Sequence, residues 1–385
     1  MLLKLLLSAI AALVLLWVPT ITVRAANVTM TASDIFTGNE SSLDTSLANG
    51  NHWNNGVVPN ASNDYSTGNF VLRTPATSNS LTFTGNSLTI NNSNDFQIGG
   101  LWYKGADNSG VITVDNLILN GGIITHQQGN TDYFNLAGSL YIAADSQIFP
   151  RQGTINVHST ITGSATLTIP GSNNSGNVLR LLAPDNTFTG NIVNSGRLEL
   201  VDDNLMRFVI GAPGVNNSIS GNGPLTALNG DIAFDLGSAG TTLGNSWSIV
   251  TAESATYGSS FNIVGFTQVN NVWRKGIYQF SENTGILSVA PAAGDVNGDG
   301  SVDQVDYATI LAHFRITVSS RAEGDLNGDS FVDLSDFAEW RLAREQFVLS
   351  FNAQVPEPSS ICLCFLTGSF ALCQRRREWR ESTDC

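Results

Sequence analysis

Two copies of one acidic twelve-residue pattern stand thirty residues apart, and they restrict the local fold more than anything else in the chain. The first runs Asp295-Val-Asn-Gly-Asp-Gly-Ser-Val-Asp-Gln-Val-Asp306, the second Asp325-Leu-Asn-Gly-Asp-Ser-Phe-Val-Asp-Leu-Ser-Asp336. Each places oxygen-bearing side chains at positions 1, 3, 5, 9 and 12, the spacing that wraps a loop around a hard cation. In the first loop these are Asp295, Asn297, Asp299, Asp303 and Asp306; in the second, Asp325, Asn327, Asp329, Asp333 and Asp336. Ser301 and Phe331 occupy position 7, which contributes a backbone carbonyl. Four carboxylates per loop would repel one another without a counter-charge. One such run is explained well enough as a solvated acidic turn. Two in register, each followed by an amphipathic helix pattern, point to two Ca²⁺ sites.

The helix patterns cover Asp306 to Phe314, with Tyr307, Ile310, Leu311 and Phe314 apolar, and Leu334 to Glu345, with Phe337, Trp340 and Leu342 apolar. Their spacing of three and four gives each helix one face to bury against the other. No helix pattern precedes the first loop, and position 12 is Asp where helix–loop–helix calcium hands carry Glu. A duplicated loop-then-helix with Asp at position 12 resembles the type I dockerin module, over residues 294 to 346. The resemblance implies an α-helical Ca²⁺ module with a cohesin-like partner, read through positions 10 and 11 of each loop, commonly Ser-Thr. Here those positions are Gln304-Val305 and Leu334-Ser335. Ser330 stands where the loop needs a sharp turn that Gly makes freely, so the second site is expected to be the weaker.

Residues 1 to 25 read as a signal peptide: Lys4, a Leu-rich run to Val18, then Val23-Arg-Ala25 as a cleavage site. At the other end, Val355, Pro356, Glu357 and Pro358 precede an apolar run from Ile361 to Cys373, and Arg375, Arg376, Arg377 and Arg380 follow it. The run is shorter than the roughly 20 residues that span a bilayer comfortably, and the basic cluster behind it is expected to stay cytoplasmic. This order over 355 to 380 resembles the PEP-CTERM sorting signal. The resemblance implies an exosortase-type processing enzyme as partner, with the membrane engaged only through a C-terminal hydrophobic helix before processing. A plain tail anchor is the alternative. All four cysteines (Cys362, Cys364, Cys373 and Cys385) lie in this tail, so the exported body is expected to be held by packing and metal rather than disulfides.

Residues 26 to 290 are rich in Gly, Asn, Ser and Thr, and only 13% of the whole chain is charged. Short β-patterned runs such as Ser80-Leu-Thr-Phe-Thr84, Gly110-Val-Ile-Thr-Val114 and Thr154-Ile-Asn-Val157 follow one another with turn residues between them. The class is all-β. A sandwich and a solenoid both allow this spacing. The phrase Pro184-Asp-Asn-Thr-Phe-Thr-Gly-Asn-Ile-Val-Asn-Ser-Gly-Arg-Leu-Glu-Leu200 resembles the autotransporter-associated β-strand repeat, a coil of right-handed parallel β-helices. That resemblance implies a parallel β-solenoid over 80 to 230, of about six or seven coils about 4.8 Å apart. An N-terminal β cap over 26 to 79, holding His52 and Trp53, and a small antiparallel cap over 231 to 290 would close its ends.

Net charge of −14 argues against a nucleic-acid partner. Asn130-Thr-Asp132 and Asp202-Asp203 echo fragments of a polygalacturonase signature, but its His and Arg/Lys partners are missing from the sequence. His52, His126, His158 and His313 have no metal-ligand spacing among them, and no nucleophile-elbow or zinc-protease motif occurs. Trp53, Trp102 and Tyr103 suit stacking on sugars; core packing is the simpler role. Two readings stand: a non-enzymatic surface or matrix protein, and a secreted carbohydrate-active protein, a polysaccharide-degrading hydrolase or lyase or its accessory, tagged by a dockerin. A cohesin-like protein and a surface polysaccharide are the partners these readings name.

Overall fold

A computed structural model describes residues 25–34, 45–76, 80–91, 99–105, 110–127, 132–172, 174, 176–269, 271–291, 293–299, 301–327 and 329–352. The chain divides into two compact units, one mostly residues 1–240 with 246–273 and 281–287, the other residues 241–245, 274–280 and 288–385.

The first unit is built from stacked parallel strands. Its longest ladder runs Ala26–Thr29, Asn63–Ser66, Ser87–Asn91, Val111–Asn120, Tyr133–Ala144, Thr154–Val157, Leu179–Leu181, Arg197–Leu200, Leu225–Leu228 and Ala255–Tyr257, with each neighbour parallel. A second parallel sheet runs from Val71–Arg73 through Gly100–Tyr103, Ile123–His126, Ser146–Phe149, Leu167–Ile169 and Ile192–Asn194 to Ile219–Ser220. A third joins Leu205–Val209, Asp231–Asp235 and Asn262–Ile263. Parallel neighbours with their crossovers on other sheets make a solenoid-like body.

The register shows why alternating residues suffice. Leu136, Val157, Leu181, Leu200 and Leu228 stand on one another rung by rung, all buried. Phe134, Ile155, Leu179, Leu198 and Thr226 form the next inward column. A Thr in that column is tolerated because the Asn194 side chain donates to its hydroxyl at 2.9 Å, as a buried polar group requires.

The Pro184–Leu200 phrase explains itself in the same terms. Buried Asn186 accepts from the Ile161 backbone N–H at 2.8 Å and donates to the carbonyls of Ala183 and Leu205, tying neighbouring coils. Phe188 fills the interior. At Gly190, an added Cβ would lie 2.0 Å from the Ala165 carbonyl oxygen, so only glycine lets the coils approach.

Parallel stacking extends beyond the expected 80 to 230. At the N-terminal side it begins at Ala26; at the other, the strands at 231–235, 255–257 and 262–263 continue the coils instead of forming an antiparallel cap. The remaining strands, Ser246–Ser248, Thr267–Val269, Val272–Lys275, Tyr278–Ser281 and Ile286–Val289, form a five-stranded sheet. The tight connections within 267–289 require antiparallel hairpins there.

Trp53 and Tyr103 are buried. Trp53 packs edge-on against Tyr65 at 4.8 Å and Tyr103 stacks on Phe134 at 4.6 Å, so both serve the core. His52 is held by buried Asp34 at 2.7 Å, a carboxylate that also accepts from the backbone N–H groups of Ser46 and Arg73.

His126 is fully buried, 4.9 Å from the Tyr103 ring. Burial, with a smaller push from Lys104 and against a backbone hydrogen bond to Asp132, lowers its pKa from 6.5 to about 4. The unfolded chain therefore takes up a proton here before the folded one does. Stability is full above about pH 6.5 and falls by about 3 kcal/mol as pH drops towards 4. Denaturant titrations across that window should show the loss, and His126→Leu should flatten it.

Candidate metal centre

In the second unit the twelve-residue loops lead into helices α1, Gln304–Ala312, and α2, Leu334–Asn352, with a short 3₁₀ turn at Arg321–Glu323 between them. Asp303 caps α1 in a reciprocal box with Asp306, satisfying the orphan N–H groups of the first turn. The expected second helix thus starts where the spacing placed it and runs seven residues past Glu345.

Position 12 organises each loop. Asp306 Oδ1 accepts the Val296 and Asn297 backbone N–H groups at 2.7 and 3.3 Å, and Oδ2 accepts that of Asp303 at 2.8 Å. Asp336 repeats this with Leu326, Asn327 and Asp333 at 2.7, 3.2 and 2.8 Å. Position 1 also bonds within its own loop: Asp295 accepts from Gly298 and Asp299, and Asp325 from Ser330. The Asn–Asp pairs at positions 3 and 5 are duplicated too, Asn297 to Asp299 and Asn327 to Asp329 both at 3.0 Å.

Asp295, Asp306, Asp325 and Asp336 are buried at the base of the loops. Asn297, Asp299, Asp303, Asn327 and Asp329 are exposed at the rim, with Asp333 and Ser301 half-buried and Phe331 exposed. Oxygen-only ligands with a buried base and a wet rim suit a hard cation that keeps part of its water. Among the described residues, no three acidic, His or Cys side chains stand close enough to enclose an ion as they are. The rim carboxylates would have to move inward.

The helices pack through Ile310 and Trp340 with Val296, Val302, Val318, Leu326, Val332 and Ala343. Tyr307 lies 5.0 Å from Trp340 and 5.6 Å from Phe337. Leu311 and Leu342, expected on the buried faces, are exposed. Leu311 instead edges an open groove of about 170 Å³ with Tyr307, Ile310, Phe314, Leu334 and Phe337.

Residues 293–340 match the dockerin type I domain. The match covers the module alone. No curated protein and no solved structure matches the chain. Dockerin type I domains, to which this stretch is similar, bind calcium and cohesins.

Three features of this module escaped the loop spacing. Gly294 and Gly324, just before position 1 of each loop, both have left-handed φ (112° and 104°) and are backed by Ala343 and Ile310 respectively. Their repetition thirty residues apart was the available signal. Trp340 Nε1 donates to the Asp303 carbonyl at 3.1 Å, linking α2 to the first loop. Arg321 donates to the carbonyls of Leu326 and Ala293. The sorting-tail residues Val355, Pro356, Glu357, Pro358, Arg375, Arg376 and Arg377 lie outside the described residues, as does the signal-peptide segment up to Arg24. Among the described residues no helix is long and apolar enough to cross a membrane.

Ser330 has φ of 67°, the left-handed region that a Cβ disfavours. The strain is about 1 kcal/mol, or about fivefold in affinity. Calorimetry on chains with one loop disabled should find the second loop the weaker, and Ser330→Gly should tighten that loop about fivefold. An unchanged isotherm would count against the assignment of the second loop as the weaker one.

Proposed function

We propose that the chain is an exported cell-surface or extracellular-matrix protein: a non-enzymatic parallel β-solenoid body attached to its partner by a calcium-dependent dockerin. The module takes two Ca²⁺ ions, the second more weakly, through the position 1, 3, 5, 7, 9 and 12 residues of each loop. The dockerin match over 293–340 is the observation that carries this reading. The partner is a cohesin-type domain. At the reading positions Val305 is 55% and Leu334 69% exposed, so the complementary surface is more apolar than one built for Ser-Thr pairs.

Bead-bound type I cohesin domains should retain the full chain in calcium and release it in chelator. Retention that ignores chelator, or none from any cohesin tried, would defeat the reading. Reducing-sugar release from a polysaccharide panel would favour the carbohydrate-active alternative instead.

The tail is read as a sorting signal removed on export. Mass spectrometry of the surface fraction should find a mature chain lacking Arg375 to Cys385 and ending near Val355 to Ser360. Glu357→Ala should leave the precursor in the membrane. An intact C-terminus on exported protein would make the run an anchor.

A further inference from the structure

Arg321 is the residue of the module that the loop pattern does not explain. It sits in the 3₁₀ turn between the loops, four residues before Asp325, with no counterpart ahead of the first loop, where Pro291 occupies the equivalent place. One guanidinium nitrogen donates to the carbonyl of Leu326, position 2 of the second loop, at 3.3 Å. The other donates to the carbonyl of Ala293, two residues before the first loop, at 3.4 Å. A planar fork reaching two carbonyls at once is a rigid strut.

We propose that Arg321 clamps the leading backbones of the two calcium loops to each other, so that the two sites fill as one coupled unit. This rests on the calcium reading of the loops and adds their regulation. Leu326 also donates its N–H to Asp336, and the corresponding residue of the first loop, Val296, donates to Asp306. Fixing either position-12 carboxylate on an ion therefore fixes a backbone segment that Arg321 ties, directly or three residues away, to the other loop. Ordering one loop removes part of the ordering that the other needs, which is positive coupling.

Charge supports the placement. Burial lowers the guanidinium pKa, while Glu339, Asp295, Asp306 and Asp325 favour its cation. Arg321 thus stands as an internal counter-ion near position 1 of both loops. Arg274, which donates to the Pro291 carbonyl at 3.4 Å, adds a second cation on the first loop's side.

Calcium calorimetry on the full chain tests this. The overall two-ion constant of the intact chain is divided by the product of the constants for chains with one loop disabled, Asp299→Ala/Asp303→Ala or Asp329→Ala/Asp333→Ala. The quotient is expected to be about fivefold or more with Arg321 and to fall about fivefold or more in Arg321→Met. Arg321→Lys keeps the charge but reaches one carbonyl at a time, and is expected to lose the coupling as Met does. A quotient near unity in wild type, an equal quotient in Arg321→Met, or full coupling in Arg321→Lys would overturn the clamp while leaving calcium binding intact. No calcium uptake by wild type would instead overturn the calcium reading beneath it.

Discussion

Stripping calcium from the full chain is expected to melt α1 and α2, and restoring millimolar calcium to rebuild them. The physical reason lies at the base of the loops. Four carboxylates, Asp295, Asp306, Asp325 and Asp336, are buried in one small module, against backbone N–H groups that carry partial charge only and the guanidinium of Arg321. Burying ionised carboxylates without full compensation is strongly unfavourable. Extracellular modules hold Ca²⁺ with constants of roughly 10⁻⁴ to 10⁻³ M, so calcium at about 10 mM adds about 1.4 to 2.7 kcal/mol per site. Trp340 is a built-in reporter, since its indole is bonded to the Asp303 carbonyl. The fluorescence difference between wild type and Trp340→Phe should change with calcium, alongside helical circular dichroism and protease resistance of the module. Signals indifferent to chelator would show that the module is held by its apolar core alone.

The largest single-residue effect is expected at Phe188→Ala, at about 3–5 kcal/mol. Phe188 is fully buried among the coils, and its ring would lie 2.6 Å from a Cβ added at Gly190, so the surrounding backbone is already at closest approach. A cavity there has little slack to collapse into. Because each coil leans chiefly on its neighbours, the loss should appear first as protease cleavage near 161–205 and only then as a lowered midpoint. Tyr141→Ala, on an exposed position of the sheet, should change the midpoint by less than about 0.5 kcal/mol. Equal effects would mean that Phe188 does not fill the core as described.

The loops were legible because ligand spacing is a local property: all twelve candidate positions fall within two short stretches of chain. The solenoid was legible in class but not in extent. Asp231–Asp235 alternates inward and outward in the same way whether its neighbour is parallel or antiparallel, and nothing in those five residues names Leu205–Val209 as the partner. Ala26–Thr29 has the same defect; its pairing with Asn63–Ser66 spans a long connection that carries no repeated phrase. Leu311 and Leu342 mislead for another reason, since helical periodicity marks apolar faces without saying what covers them. Arg321 acts through two carbonyls, groups that every residue carries, so its sequence position gives no sign of what it bridges.

Calcium stoichiometry on the full chain and on position-12 variants tests the docking-module reading most directly. Asp306 and Asp336 each organise one loop through three backbone N–H groups, and as ligands each should be essential to one ion. Equilibrium dialysis is expected to find two ions on wild type, one on Asp306→Ala, one on Asp336→Ala, and none on the double variant. No bound calcium on wild type, or two ions retained by the double variant, would contradict it.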